Sequence, residues 1–244
     1  MSLLQRYILF IFGLFLTSLG LCLIIKGGLG TSPISSLPYI LNLEYHMSLG
    51  TLMFILNIIL MSIQLLILKR NFTYIQILQI PMSFIFSAFI DLIMFTLNSY
   101  VPEIYMLKLL TLLLGCGALG LGVALQIIGN VVMLPGEATV NAIATHWKFD
   151  FGKVKTCFDI SMVLLCGILS LFYFSSIKGL REGTIISALL VGFIARFCIK
   201  QLSNVNRQGI LAFQTNLHAQ CYTSHNYLHL KSAILIVTFS TLGF

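Results

Sequence analysis

Hydrophobic positions run in long blocks, at roughly 7–26, 50–68, 75–97, 106–130, 153–174 and 183–200, separated by short polar stretches. A helix needs about 20 apolar residues to cross the hydrocarbon core, and each block qualifies or comes close. The spans of a β-barrel would alternate polar and apolar with period two; these do not. The pattern predicts an all-α integral membrane protein with six transmembrane helices.

The blocks also repeat. Gly13, Gly20, Gly27, Pro33 and Gly50 recur 102 positions later as Gly115, Gly122, Gly129, Pro135 and Gly152. Each copy carries three blocks, and an odd number of crossings makes the second copy enter the bilayer from the opposite side. The expectation is two inverted three-helix repeats, about 6–98 and 106–200, in a single membrane domain over 1–203. Glycines every seven residues leave a stripe of bare backbone on the first helix of each copy, a surface by which helices approach closely in lipid. Asn57 falls on Asp159 at the same offset, and Asp91 falls on Arg196 after a three-residue shift. Asp91 and Arg196 are expected at opposite depths, so no ion pair is expected between them. Residues 204–244 lie outside the repeat: Asn, Gln, His and Ser precede an apolar end, Ser232 to Phe244, too short to span comfortably. They read as an interfacial or disordered tail.

Between the first two blocks of each copy the helical pattern breaks and restarts. In the first copy, Gly27, Gly28 and Gly30 interrupt it; Thr31 or Ser32 caps a new helix, and Pro33 suits its first turn, where no backbone N–H is needed. Ser35 and Ser36 follow. In the second copy a helix restarts at Pro135, followed by Gly136, Glu137 and Asn141. A helix start within the membrane presents unpaired N–H groups and partial positive charge, which suit an anionic group or a polar ligand, and broken helices at matching positions of two halves point to a transporter site. A short connecting helix along the interface is the competing reading. Glu137 and Asp159 are the acidic candidates, because a carboxyl at membrane depth is costly and marks function by default; both are expected to line one polar vestibule. The candidate substrate-binding set is therefore Thr31, Ser32, Pro33, Ser35, Ser36, Asn57, Pro135, Gly136, Glu137, Asn141 and Asp159.

Composition agrees with the pattern. The chain is 58% apolar and 9% charged, with mean hydropathy +1.00, which leaves a soluble fold almost no surface for water. Its net charge of +7 sits in short loops, without the basic stripe of a nucleic-acid binder. Arg6, Lys69, Arg70, Lys148, Lys153, Lys155, Arg196, Lys200 and Arg207 fall on one side, against Lys26, Lys108, Lys178 and Arg181 on the other, which predicts cytoplasmic N- and C-termini in the cell membrane. Leu21 is too bulky to precede a lipidated Cys22, so the first block reads as a span. The six cysteines lack metal or redox spacing. His218, Cys221, His225 and His229 lie in the tail without a second ligand pair, and no metal or cofactor is expected. No Walker loop, GxSxG elbow or CxxC pair marks an enzyme.

The segment from Gly28 to Leu37 (GLGTSPISSL), Gly50 on the next span, and Pro135-Gly136-Glu137 resemble the YczE/YyaS/YitT family of bacterial multi-pass membrane proteins over roughly residues 5–200. The resemblance implies a bacterial cytoplasmic-membrane protein of unestablished activity. From the residues, the expected function is a secondary transporter or permease for a small molecule, its partners being that solute and the lipid bilayer. The alternative is a membrane scaffold or accessory subunit whose glycine stripes pack against itself, as a homo-oligomer, or against a partner.

Overall fold

The computed structural model describes residues 2–69, 74–175, 179 and 181–203. The described residues form eight α-helices: α1 (Leu3–Lys26), α2 (Pro33–Tyr45), α3 (Leu49–Leu68), α4 (Gln79–Thr96), α5 (Tyr105–Gly129), α6 (Pro135–Trp147), α7 (Phe151–Phe174) and α8 (Glu182–Ser203). Six are long and apolar enough to cross a membrane; α2 and α6, of 13 residues each, are not. The six spans begin and end within four residues of the hydrophobic blocks, because the same apolar run that satisfies lipid also sets the length of the helix.

α1 and α5 form the central pair and run antiparallel. A Cβ on Gly13 would stand 2.9 Å from the Gly122 carbonyl oxygen, and one on Gly115 would stand 2.9 Å from that of Gly20. Further along, Gly27 meets the Lys108 carbonyl at 3.2 Å and Gly129 meets that of Arg6 at 3.1 Å. Each contact returns as its partner when 102 is added to one residue and subtracted from the other. The glycine stripes thus bring the two backbones together where any side chain would hold them apart. Gln126 Nε2 donates to Thr17 Oγ1 across the same seam. Arg6 donates from Nε to the Gly129 carbonyl at 3.0 Å and from Nη2 to that of Asn130, covering the orphan carbonyls at the C-terminus of α5.

α4 lies parallel to α1, with Ser18 Oγ bonded to the Phe86 carbonyl and Cys22 Sγ to that of Ile90. α8 lies along α5, and Gly120 packs against Ile194 and Ala195. Two ends follow. The Arg6 end holds Arg6, Lys69, Lys148, Lys153 and Lys200; the other, the Lys26 end, holds Lys26, Lys108 and Arg181. Backbone details also echo at the 102 offset. Gly28 and Asn130 have φ of 67° and 45°, His46 and Lys148 of 51° and 57°. Ser48 and Asp150 each cap the following helix from its N-terminus, accepting from the N–H of Thr51 and of Lys153.

The two halves differ in one packing. α3 lies against α4, whereas α7 packs on α2 and α6, and its stripe of Ile160, Leu164, Ile168 and Phe172 faces outward. An apolar outer face of this kind is what lipid requires.

Candidate functional site

The two short helices start inside the molecule. α2 runs parallel to α7: Cys166 Sγ reaches the Ser36 carbonyl at 3.4 Å, and the Tyr45 and Tyr173 hydroxyls are 2.8 Å apart near the Lys26 end. Cys166 lies eight residues before the end of α7 at Phe174, and Ile34 a further two residues in, which places the start of α2 about 15 Å deep at 1.5 Å per residue. α6 runs along α3, where Thr139 Oγ1 donates to the Leu60 carbonyl at 3.0 Å. Leu60 lies eight residues before the end of α3 at Leu68, so Gly136 is about 16 Å from the Arg6 end. Together these depths make about 31 Å, close to the thickness of a hydrocarbon core of about 30 Å. The two starts should therefore meet near the middle. A Cβ on Gly136 would stand 3.1 Å from Ile34 Cδ1.

Local sequence explains why both helices start bare. Ser32 and Leu134 are the N-caps, and neither gives a side-chain cap. Pro33 and Pro135 occupy the first turn, where the missing N–H costs nothing. Ser36 and Ala138 return their N–H groups to the Ser32 and Leu134 carbonyls, which leaves the first-turn amides of Ile34, Ser35, Gly136 and Glu137 uncapped. Two helix dipoles present their positive ends to one region. Pro38, inside α2, withholds a further N–H and so frees the Ile34 carbonyl beside it.

The candidate residues separate into bonded and open groups. Thr31 or Ser32 was expected to cap α2; Ser32 takes the cap position, and Thr31 ties the chain to α8. Its N–H donates to Thr184 Oγ1 at 3.2 Å, its hydroxyl to the Gly179 carbonyl at 3.2 Å, and its carbonyl accepts from Ser187 Oγ at 3.4 Å. The Ser32 hydroxyl is 2.7 Å from that of Ser35 and does not cap, and Ser36 Oγ donates to the Pro33 carbonyl at 2.6 Å. Pro33 and Pro135 are buried, Asn141 is half-buried on α6, and Asn57 is buried with Nδ2 unpartnered.

Glu137 is half-buried at the start of α6 and makes no hydrogen bond or ion pair among the described residues. Lys155 and Asp159 on α7 are the charged groups that act on it. Asp159 is held by Lys155, Nζ to Oδ1 2.9 Å, one helical turn away on α7. Lys155 was counted in the sequence only as an orienting charge. Its i, i+4 spacing to Asp159 was the available signal.

Asp91 has a structural task. Its Oδ1 accepts from the Gly50 N–H at 2.7 Å and its Oδ2 from Ser48 Oγ at 2.8 Å, so the carboxylate covers the start of α3, where the helix dipole favours it. Lys26, Asn42, Ser48, Asp91 and Asn98 border an open recess of about 420 Å³ beside it. Arg196 is exposed on α8 and forms no pair with Asp91. Among the described residues no three His, Cys, Asp or Glu side chains gather for a metal; His218, Cys221, His225 and His229 lie outside them, as does the rest of the tail.

Six apolar spans around two half-length helices define a multi-pass helical membrane protein. The chain belongs to DUF6198, a family of unknown function, whose profile matches residues 4–200. No curated protein and no solved structure matches it.

Proposed function

We propose that the protein is a secondary transporter or permease for a small solute bearing an anionic or strongly polar group, held where α2 and α6 meet. The single observation that carries this reading is the approach of two uncapped helix starts, Ile34 to Gly136, near mid-depth. Paired positive helix ends beneath the membrane surface are a known way of holding such a group. The two halves are read as inverted repeats. Support comes from the antiparallel α1–α5 pair, the reciprocal glycine contacts and the matched positive-φ positions Gly28/Asn130 and His46/Lys148. Rocking of one repeat against the other would expose the centre to each side in turn. Glu137, unpaired beside the Lys155–Asp159 pair, is the group placed to exchange a proton during that cycle. Kinship with the YczE/YyaS/YitT family belongs to the same reading.

Reconstitution tests it. Purified protein in liposomes should pass a solute from an anion and polar-solute panel, and Gly136→Leu, which fills the space against Ile34, should abolish flux while leaving the melting temperature measurable. A panel without flux, together with a fixed protein partner on purification, would favour the scaffold reading instead; the outward apolar stripe of α7 is the observation on that side.

A further inference from the structure

Four polar side chains between α3 and α4 lack partners. Asn57 is 4% exposed, Gln64 1%, Gln79 2% and Ser83 1%, and Asn57 Nδ2, Gln64 Oε1, Gln79 Oε1 and Ser83 Oγ have no hydrogen-bond partner in the protein.

Helix register places all four in one seam. α3 and α4 are antiparallel, Gly50 lying against Ser87 and Asp91 and the Phe54 ring 5.9 Å from that of Phe84. Asn57 and Gln64 follow Gly50 at steps of seven, which keeps them on the stripe that faces α4. Ser83 and Gln79 precede Ser87 at steps of four, on the face that donates from Ser87 Oγ to the Gly50 carbonyl. Extending the register sets Asn57 level with Ser83, Gln79 about one turn beyond and Gln64 about one turn further, a file about 11 Å long.

The chemistry of the four atoms selects the occupant. Two amide oxygens need donors, one amide nitrogen needs an acceptor, and the Ser83 hydroxyl can both donate and accept. A metal cation would answer only the oxygens, and a single ion does not reach three levels. Water donates and accepts, and buried water typically binds polar groups that have no other partner.

We propose that the α3–α4 seam holds a file of resident water. Ser87 and Gly50 close it toward the Lys26 end, beneath the Asp91–Ser48 contact and the recess. Gln64 and Gln79 bring it toward the Arg6 end, where α3 finishes and α4 begins. Its deepest member, Asn57, lies one turn before Leu60, whose carbonyl holds Thr139, so the file reaches the level of Gly136. It links the part of the seam nearer the Arg6 end to the level of the centre, and it stands whether or not the centre carries a solute.

Microsecond X-ray radiolysis of the purified full chain in ¹⁸O-labelled water, read by mass spectrometry, tests the file. Radicals form where water is held, so Met82, next to Ser83 in the chain and packed in the same apolar cluster as Cys116, should take up ¹⁸O several-fold faster than the fully buried Cys116. Equal, low uptake at both would overturn the proposal. Ser83→Ala gives a second measurement. Stranding a water should lower the melting temperature, whereas removing a hydroxyl that truly lacks a partner should raise it; a raised or unchanged value overturns the file. Labelling at Met82 in a chain that moves no solute would keep the file and defeat the transporter.

Discussion

At the residue scale, the acidic side chains divide by what covers them. Asp91 takes a hydroxyl and a backbone N–H at the start of α3, a role invisible in sequence because it needs the end of α4 to lie against the start of α3. Asp91→Ala should therefore destabilise the fold by about 1–2 kcal/mol, the cost of an N-terminal cap, read as a lower melting temperature in detergent; an unchanged value would deny the capping role. Glu137, at the start of α6, has no such cover among the described residues. Sequence picked out Glu137 and Asp159 because acids are rare in apolar runs. It passed over Lys155, whose loop-like setting hid its pairing, and Ser83 and Gln79, whose importance lies only in what fails to meet them.

At the element scale, periodicity was the most readable signal. Six apolar blocks became six spans because length and hydropathy act within a single helix, and the seven-residue glycine interval became the α1–α5 contact because bare backbone on one face admits close approach. What one helix cannot encode is which neighbour it will choose. The paired blocks of α3 and α7 look alike, yet α3 packs on α4 while α7 leaves its outer stripe uncovered. The glycine contact yields a paired prediction. A Cβ on Gly20 would meet the Gly115 carbonyl at 2.6 Å, whereas one on Gly117, just beyond Gly115 on the same helix, meets nothing within 4 Å. Gly20→Ala should cost about 1–3 kcal/mol through overpacking. Gly117→Ala should be neutral or stabilising by up to about 1 kcal/mol, the helix propensity of alanine over glycine. Equal melting temperatures for the two variants would mean that the stripe carries no packing.

At the scale of the whole molecule, charge decides which way the bundle stands. Among the described residues Arg6, Lys69, Lys148, Lys153, Lys155, Arg196 and Lys200 lie in the half toward the Arg6 end, against Lys26, Lys108 and Arg181 toward the other. Cytoplasmic loops retain Lys and Arg, so the Arg6 end should face the cytoplasm, with the start of α6 reached from that side and the start of α2 from the other. In a cysteine-free background, Asn98→Cys beside the recess should react with a membrane-impermeant maleimide on intact cells. Lys148→Cys, at the turn between α6 and α7, should react only after the membrane is opened. The reverse pattern would turn the molecule over and move Glu137 and the Lys155–Asp159 pair to the outer half. Labelling of both positions on intact cells would be incompatible with a fixed orientation, and with it the assignment of one short helix to each side would fall.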